Sequence, residues 1–132
     1  MSYLYIDTSA SAAILFKEPG HEELKTLFSQ HKKFSSHLLE AELLAAAHRE
    51  NIEIRMVEEL TDRITFISPT RSLGEEYRLI FSAGYCRGAD AYHLATLLFL
   101  APNRESLAFL TMDGRQIEIA KKIGIRVLPK TG

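Results

Sequence analysis

A single cysteine, Cys86, is all the sequence contains. It cannot close an intramolecular disulfide, and no Cys and His cluster has zinc-ligand spacing, so the chain reads as one made for a reducing compartment. Aspartate is scarce too. Of the 17 acidic residues 13 are Glu, and the only Asp are Asp7, Asp62, Asp90 and Asp113. Glu is the better helix former, so the acids as a whole read as helix surface while each Asp asks for its own explanation. An excess of either charge is missing: 16 Lys and Arg against 17 acids leave a formal −1, and no overall basic field points to nucleic acid or an anionic membrane. No apolar run is long enough to span a bilayer, since the richest, residues 89–101, includes Asp90 and His93. The N-terminus, Met1 to Asp7, lacks the basic region, apolar stretch and small-residue cleavage site of a signal peptide. The expectation is a soluble cytoplasmic protein. What is present, 46% hydrophobic and 25% charged residues over 132 positions, suits one globular domain over 1–132 and excludes disorder or collagen-like structure.

Residues 3–6 are aromatic and β-branched enough for a short buried strand, ending at the helix-capping run Asp7-Thr8-Ser9. Helices are expected over 10–16, stopped by Pro19-Gly20, and over 22–30, where Leu24, Leu27 and Phe28 share a side. A short strand at 33–36 precedes strong helical periodicity over 38–50 and a helix over 53–64. A third strand fits 65–68. Helices follow over 72–82, closed by Gly84, and over 88–101, which is apolar nearly all round and so expected to be buried on several sides. The strand at 106–112 ends in Asp113-Gly114, a helix runs to about 123, and a last strand covers 125–128. Strands separated by helices predict an α/β domain, a mainly parallel sheet of about five short strands with helices on both faces.

In such sheets ligands bind beyond the carboxyl ends of the strands, where strand order reverses. Asp7 follows the first strand and Asp113 the fourth, and adjacency of those strands would bring both carboxylates into one crevice. Each is also an ordinary N-cap, and Asp113-Gly114-Arg115-Gln116 has capping-box spacing. Asp90 sits in the first turn of the most apolar helix, where a carboxylate needs a compensating partner. His93, one turn on, either bonds Asp90 or packs. Glu40 and Glu42 project to opposite sides of their helix, so at most one faces the crevice, and periodicity alone does not choose. Asp62 reads as helix surface.

Four fragments together carry a resemblance: Tyr5-Ile6-Asp7-Thr8-Ser9; Ala41-Glu42-Leu43-Leu44 preceded by Ser35-Ser36; Gly88-Ala89-Asp90-Ala91-Tyr92-His93-Leu94-Ala95-Thr96; and Phe109-Leu110-Thr111-Met112-Asp113 followed by Ala120 and Gly124. In order and spacing the sequence resembles, from Tyr3 to Leu128, the PIN-domain family of metal-dependent nucleases, and most closely its VapC-type toxin ribonucleases of type II toxin–antitoxin pairs. The resemblance selects Glu42 over Glu40. It implies a PIN-like fold and a ribonuclease site of Asp7, Glu42, Asp90 and Asp113, with Asp7 and Asp113 as central metal ligands, Asp90 a direct or water-mediated ligand, and Glu42 a second-site ligand or water positioner. Thr8, Ser9 and Thr111 would orient those carboxylates or the scissile phosphate.

An all-carboxylate set without His or Cys favours Mg2+ or Mn2+ over Zn2+. Setting the four acids aside turns the formal charge from −1 into +3, so the rest of the surface is mildly basic. Arg87 and Arg115 are the first candidates to contact RNA phosphates, with Arg49 and Lys121 behind them. The resemblance further implies a cognate antitoxin and a homodimer, with Ile14, Leu15, Phe16, Met56, Val57 and Leu60 as candidate antitoxin-docking residues or simply core. Alternatives are a PIN nuclease of RNA processing outside a toxin pair, and a non-catalytic PIN-like RNA-binding module. A receiver-like phosphotransfer domain ranks below these, because no second Asp stands next to Asp7 or two residues on, and no Lys follows a late strand in the expected place.

Overall fold

The computed structural model describes residues 3–130. Five strands, β1 (Tyr3–Ile6), β2 (Lys32–Ser36), β3 (Ile64–Ile67), β4 (Leu107–Leu110) and β5 (Arg126–Leu128), form one sheet in the order β3-β2-β1-β4-β5. Every pairing is parallel. Parallel neighbours require crossovers, and seven helices supply them: α1 (Thr8–Leu15), α2 (His21–Gln30), α3 (His37–Arg49), α4 (Ile54–Thr61), α5 (Gly74–Ala83), α6 (Gly88–Leu100) and α7 (Gly114–Lys122).

The two-residue period of the strands sorts the core into two layers. Leu4, Ile6, Ala108 and Leu110 point to the face covered by α1 to α4, where they meet Ala10, Leu24, Phe28, Leu39, Leu43 and Val57. Tyr5, Leu107, Phe109 and Val127 point to the other face and pack with Ile80, Leu94, Leu97 and Ile119 of α5, α6 and α7. The middle of α6 is buried without a break from His93 to Leu98, as its all-round apolar character predicts. Among the described residues no helix is long and apolar enough to cross a membrane.

Two boundaries, those of α4 and β4, differ from the sequence-based expectation for physical reasons, while Lys33 lies in β2 as expected. Ile64 does not close the fourth helix, because its buried side chain and its pairing with Lys33 recruit it to β3, and α4 stops at Thr61. Lys33 fits inside β2 because its amine donates to the Phe28 carbonyl at 2.8 Å and lies 4.4 Å from the Phe28 ring centre. β4 is shorter than 106–112: the Thr111 amide still donates to the Leu128 carbonyl at 3.2 Å, but its hydroxyl turns to Asp7 and the Met112 amide to Ser9 as the chain enters the turn before α7. Of the six residues considered for docking, Leu15 and Val57 belong to the core, Ile14, Phe16 and Leu60 are partly buried, and Met56 is exposed.

The chain runs from β1 outward through β2 to β3, then returns to place β4 on the other side of β1. The switch point therefore lies between the carboxyl ends of β1 and β4, the place where Asp7 and Asp113 follow their strands.

Candidate functional site

Asp7 leaves β1 and caps α1, its Oδ1 accepting from the Ala10 amide at 3.0 Å. It is buried, and three side chains close on it. The Ser9 hydroxyl donates to it at 2.8 Å, the Thr111 hydroxyl to Oδ2 at 2.6 Å, and the Gln116 carboxamide to Oδ2 at 2.8 Å. Ser9 and Thr111 are themselves fixed, accepting from the amides of Met112 (2.9 Å) and Asp113 (3.1 Å), which ties α1 to the turn after β4. Burial raises the Asp7 carboxyl above its ordinary value, against the opposing pull of the Thr111, Ala10 and Ser9 donors.

Asp113 caps α7, its Oδ1 accepting from the amides of Arg115 and Gln116. The capping box expected from the sequence is only half formed. Gln116 does not reach back to the Asp113 amide, which Thr111 already occupies, and its side chain turns instead to Asp7 and, at 3.5 Å, to Asp90. Asp90 projects from the first turn of α6, mostly buried; burial, and then the neighbouring charge of Asp113, raise its carboxyl above its ordinary value, and the Arg87 guanidinium 3.5 Å away offsets part of this.

On the far side α3 contributes Glu42. Its Oε1 accepts from the Thr8 hydroxyl at 2.6 Å and lies 3.3 Å from His93 Nε2, and these donors hold it below its ordinary value, the imidazole foremost. Glu40 stands outside the cleft, exposed and 3.8 Å from His37. Of the two expectations for His93 packing holds, since it is buried with its ring edge-on to Tyr5; it also bonds Glu42 and the Tyr5 hydroxyl, the latter 3.0 Å from Nδ1, and not Asp90. A carboxylate only accepts, so Nε2 carries a proton toward Glu42, and in the neutral imidazole Nδ1 accepts from Tyr5. Replacing Tyr5 by Phe strands that buried nitrogen, and a urea melt of Tyr5→Phe is expected to show a loss of about 1–3 kcal/mol.

All four acids line one cleft of about 570 Å³, with His93 and Gln116 in its wall and Arg49 and Arg87 at its side. Glu18 and Glu50, which no sequence signal singled out, also border it; both are exposed. Arg115 is not in the lining, and its guanidinium donates to the Tyr85 carbonyl at 3.3 Å, whereas Arg87 is in the lining. Lys121 is also outside the lining.

Among the described residues no three His, Cys, Asp or Glu side chains converge into a cage for an ion. The donor set still fits a hard cation of the Mg2+ type, which uses one or two carboxylates, several waters and substrate phosphate in preference to a protein cage. The cluster is carboxylate-rich, Asp7 and Asp90 are both raised, and a buried carbonyl oxygen beside them, Gln116 Oε1, has no hydrogen-bond partner.

No curated protein matches the chain. The family model described as PIN domain matches residues 4–122, about nine-tenths of its length, and so spans β1 through α7 with all four acids. A parallel sheet whose switch point gathers those carboxylates accords with that match, and the chain belongs to the PIN domain family, whose members are generally nucleases.

Proposed function

We propose that the chain is a Mg2+- or Mn2+-dependent ribonuclease and the toxin of a type II toxin–antitoxin pair, acting in the cytoplasm. The observation that carries the nuclease reading is the meeting of Asp7, Glu42, Asp90 and Asp113 in one cleft at the β1/β4 switch point. Asp7, Asp90 and Asp113 would hold the ion, with Glu42 at a second position or directing water. When bound, the ion supplies polarisation of the scissile phosphate and acidification of the attacking water.

The chain's own residues do the rest. Ser9, Thr111 and the Ala10 amide fix the orientation of Asp7, so its carboxylate does not have to be reorganised when substrate arrives. Thr8 and His93 hold Glu42 ionised and aimed at the cleft. Arg87, with an exposed guanidinium at the rim, is placed to take a phosphate oxygen of the RNA, and Arg49 borders the same cleft. Water adds to phosphorus, the bond to the leaving ribose oxygen breaks, and that oxygen takes up a proton.

The toxin assignment rests on the likeness of the four motifs to VapC-type chains, as do the cognate antitoxin and the homodimer. It is tested by induced expression in a bacterial host. Growth arrest with RNA degradation, relieved by co-expression of an antitoxin if one is encoded beside it, is the expected result. Harmless expression in the native host would contradict the toxin role and leave a nuclease of RNA processing as the better description.

A further inference from the structure

A carboxylate offers about four lone-pair directions, and the protein fills those of Asp7. Oδ1 accepts from the Ala10 amide and the Ser9 hydroxyl, Oδ2 from the Thr111 hydroxyl and the Gln116 carboxamide. An ion that binds Asp7 directly must displace one of these donors. The Ala10 amide is part of α1. Ser9 and Thr111 have short side chains, each also held as an acceptor by a backbone amide. Gln116 alone among the four reaches Asp7 on a long side chain, and it alone also reaches Asp90. Its nitrogen therefore lies between two carboxylates, a partial positive charge where their repulsion calls for one.

That orientation leaves a mark in the same side chain. Gln116 is 2% exposed, and its Oε1 is buried without a hydrogen-bond partner. A stranded carbonyl is costly, and turning the amide over would put that oxygen against the acids. The negative charge of Asp7 and Asp90 favours the nitrogen facing inward.

We propose that the Gln116 carboxamide stands in for the divalent cation, clamping Asp7 and Asp90 in the metal-free protein and giving way when Mg2+ or Mn2+ binds. This rests on the reading of the cleft as a divalent-cation site. Whatever the clamp adds to the stability of the free protein and loses on binding is subtracted from the affinity for the ion. Gln116→Met keeps the length of the side chain and removes its donors. It is expected to melt at a lower temperature without metal, and to bind Mn2+ about tenfold more tightly than the native protein in a calorimetric titration. Mn2+ affinity that is unchanged or weaker overturns the proposal.

A second measurement needs no variant. In the native protein, saturating Mg2+ should move the Gln116 side-chain amide resonances away from their clamped positions, and resonances that stay in place overturn it. Asp7→Asn separates the two levels of the argument. If that variant binds Mn2+ like the native chain, the cation-site reading fails and the proposal with it. If it loses Mn2+ while Gln116→Met shows no tightening, the reading stands and the stand-in role is wrong.

Discussion

Asp7→Asn will lower RNA cleavage by roughly a thousandfold or more, equivalent to about 4 kcal/mol of lost transition-state stabilisation, with the fold unchanged. The substitution removes the charge of the most deeply buried of the four acids and leaves its shape. Asn is as good an N-cap as Asp, so α1 keeps the Ala10 bond. The introduced amide brings donors where Asp7 only accepts, and the surroundings can answer: hydroxyls rotate, and turning Gln116 over supplies the acceptor that now lacks a partner. Burial disfavours the Asp7 charge in the first place. The melting temperature in metal-free buffer should therefore be equal to that of the native protein or higher. Circular dichroism melts beside a fluorogenic RNA assay check both halves, and a variant that cuts at the native rate would remove Asp7 from the chemistry.

Chelation is the second large effect. Cleavage should fall to background in excess chelator and return with Mg2+ or Mn2+, because an oxygen-only donor set is matched to hard cations. Asp90 is raised by burial and then by the charge of Asp113, which Arg87 3.5 Å away offsets only in part, so a divalent cation would relieve the repulsion between the two carboxylates. Chelation should not unfold the chain. Both core layers are apolar packing against the faces of the sheet, and Gln116 bridges Asp7 and Asp90. A cooperative melt in chelator, with cleavage gone, is the expected pairing; native-rate cleavage in chelator would sink the metal dependence.

Much of this arrangement is legible in the sequence. The apolar segments before Asp7 and Asp113 mark strands that end in helix caps, and a parallel α/β pattern places such ends together. What the residues could not fix was order: β1 beside β4 is a fact of the sheet. Helical periodicity narrowed α3 to Glu40 or Glu42 without choosing, and the structure sets Glu40 beside His37 and Glu42 in the cleft lining. Gln116 escaped because its capping-box spacing offers a sufficient local role, and whether its long neutral side chain turns back to its own helix or across to Asp7 is decided by tertiary packing. The sequence sets His93 beside the acid on its own helix, whereas its partners come from β1 and α3, far away in sequence. The boundary between α4 and β3 moves for a similar reason, since Ile64 is claimed by pairing with Lys33 across the sheet.

The most direct measurement is of the cut ends. With purified protein, Mg2+ and single-stranded RNA in 18O-labelled water, hydrolysis by an activated water places one 18O in each new terminal phosphate and leaves no 2′,3′-cyclic phosphate. Unlabelled 2′,3′-cyclic ends would mean that the ribose hydroxyl is the nucleophile, and would contradict a water-activating acidic cleft.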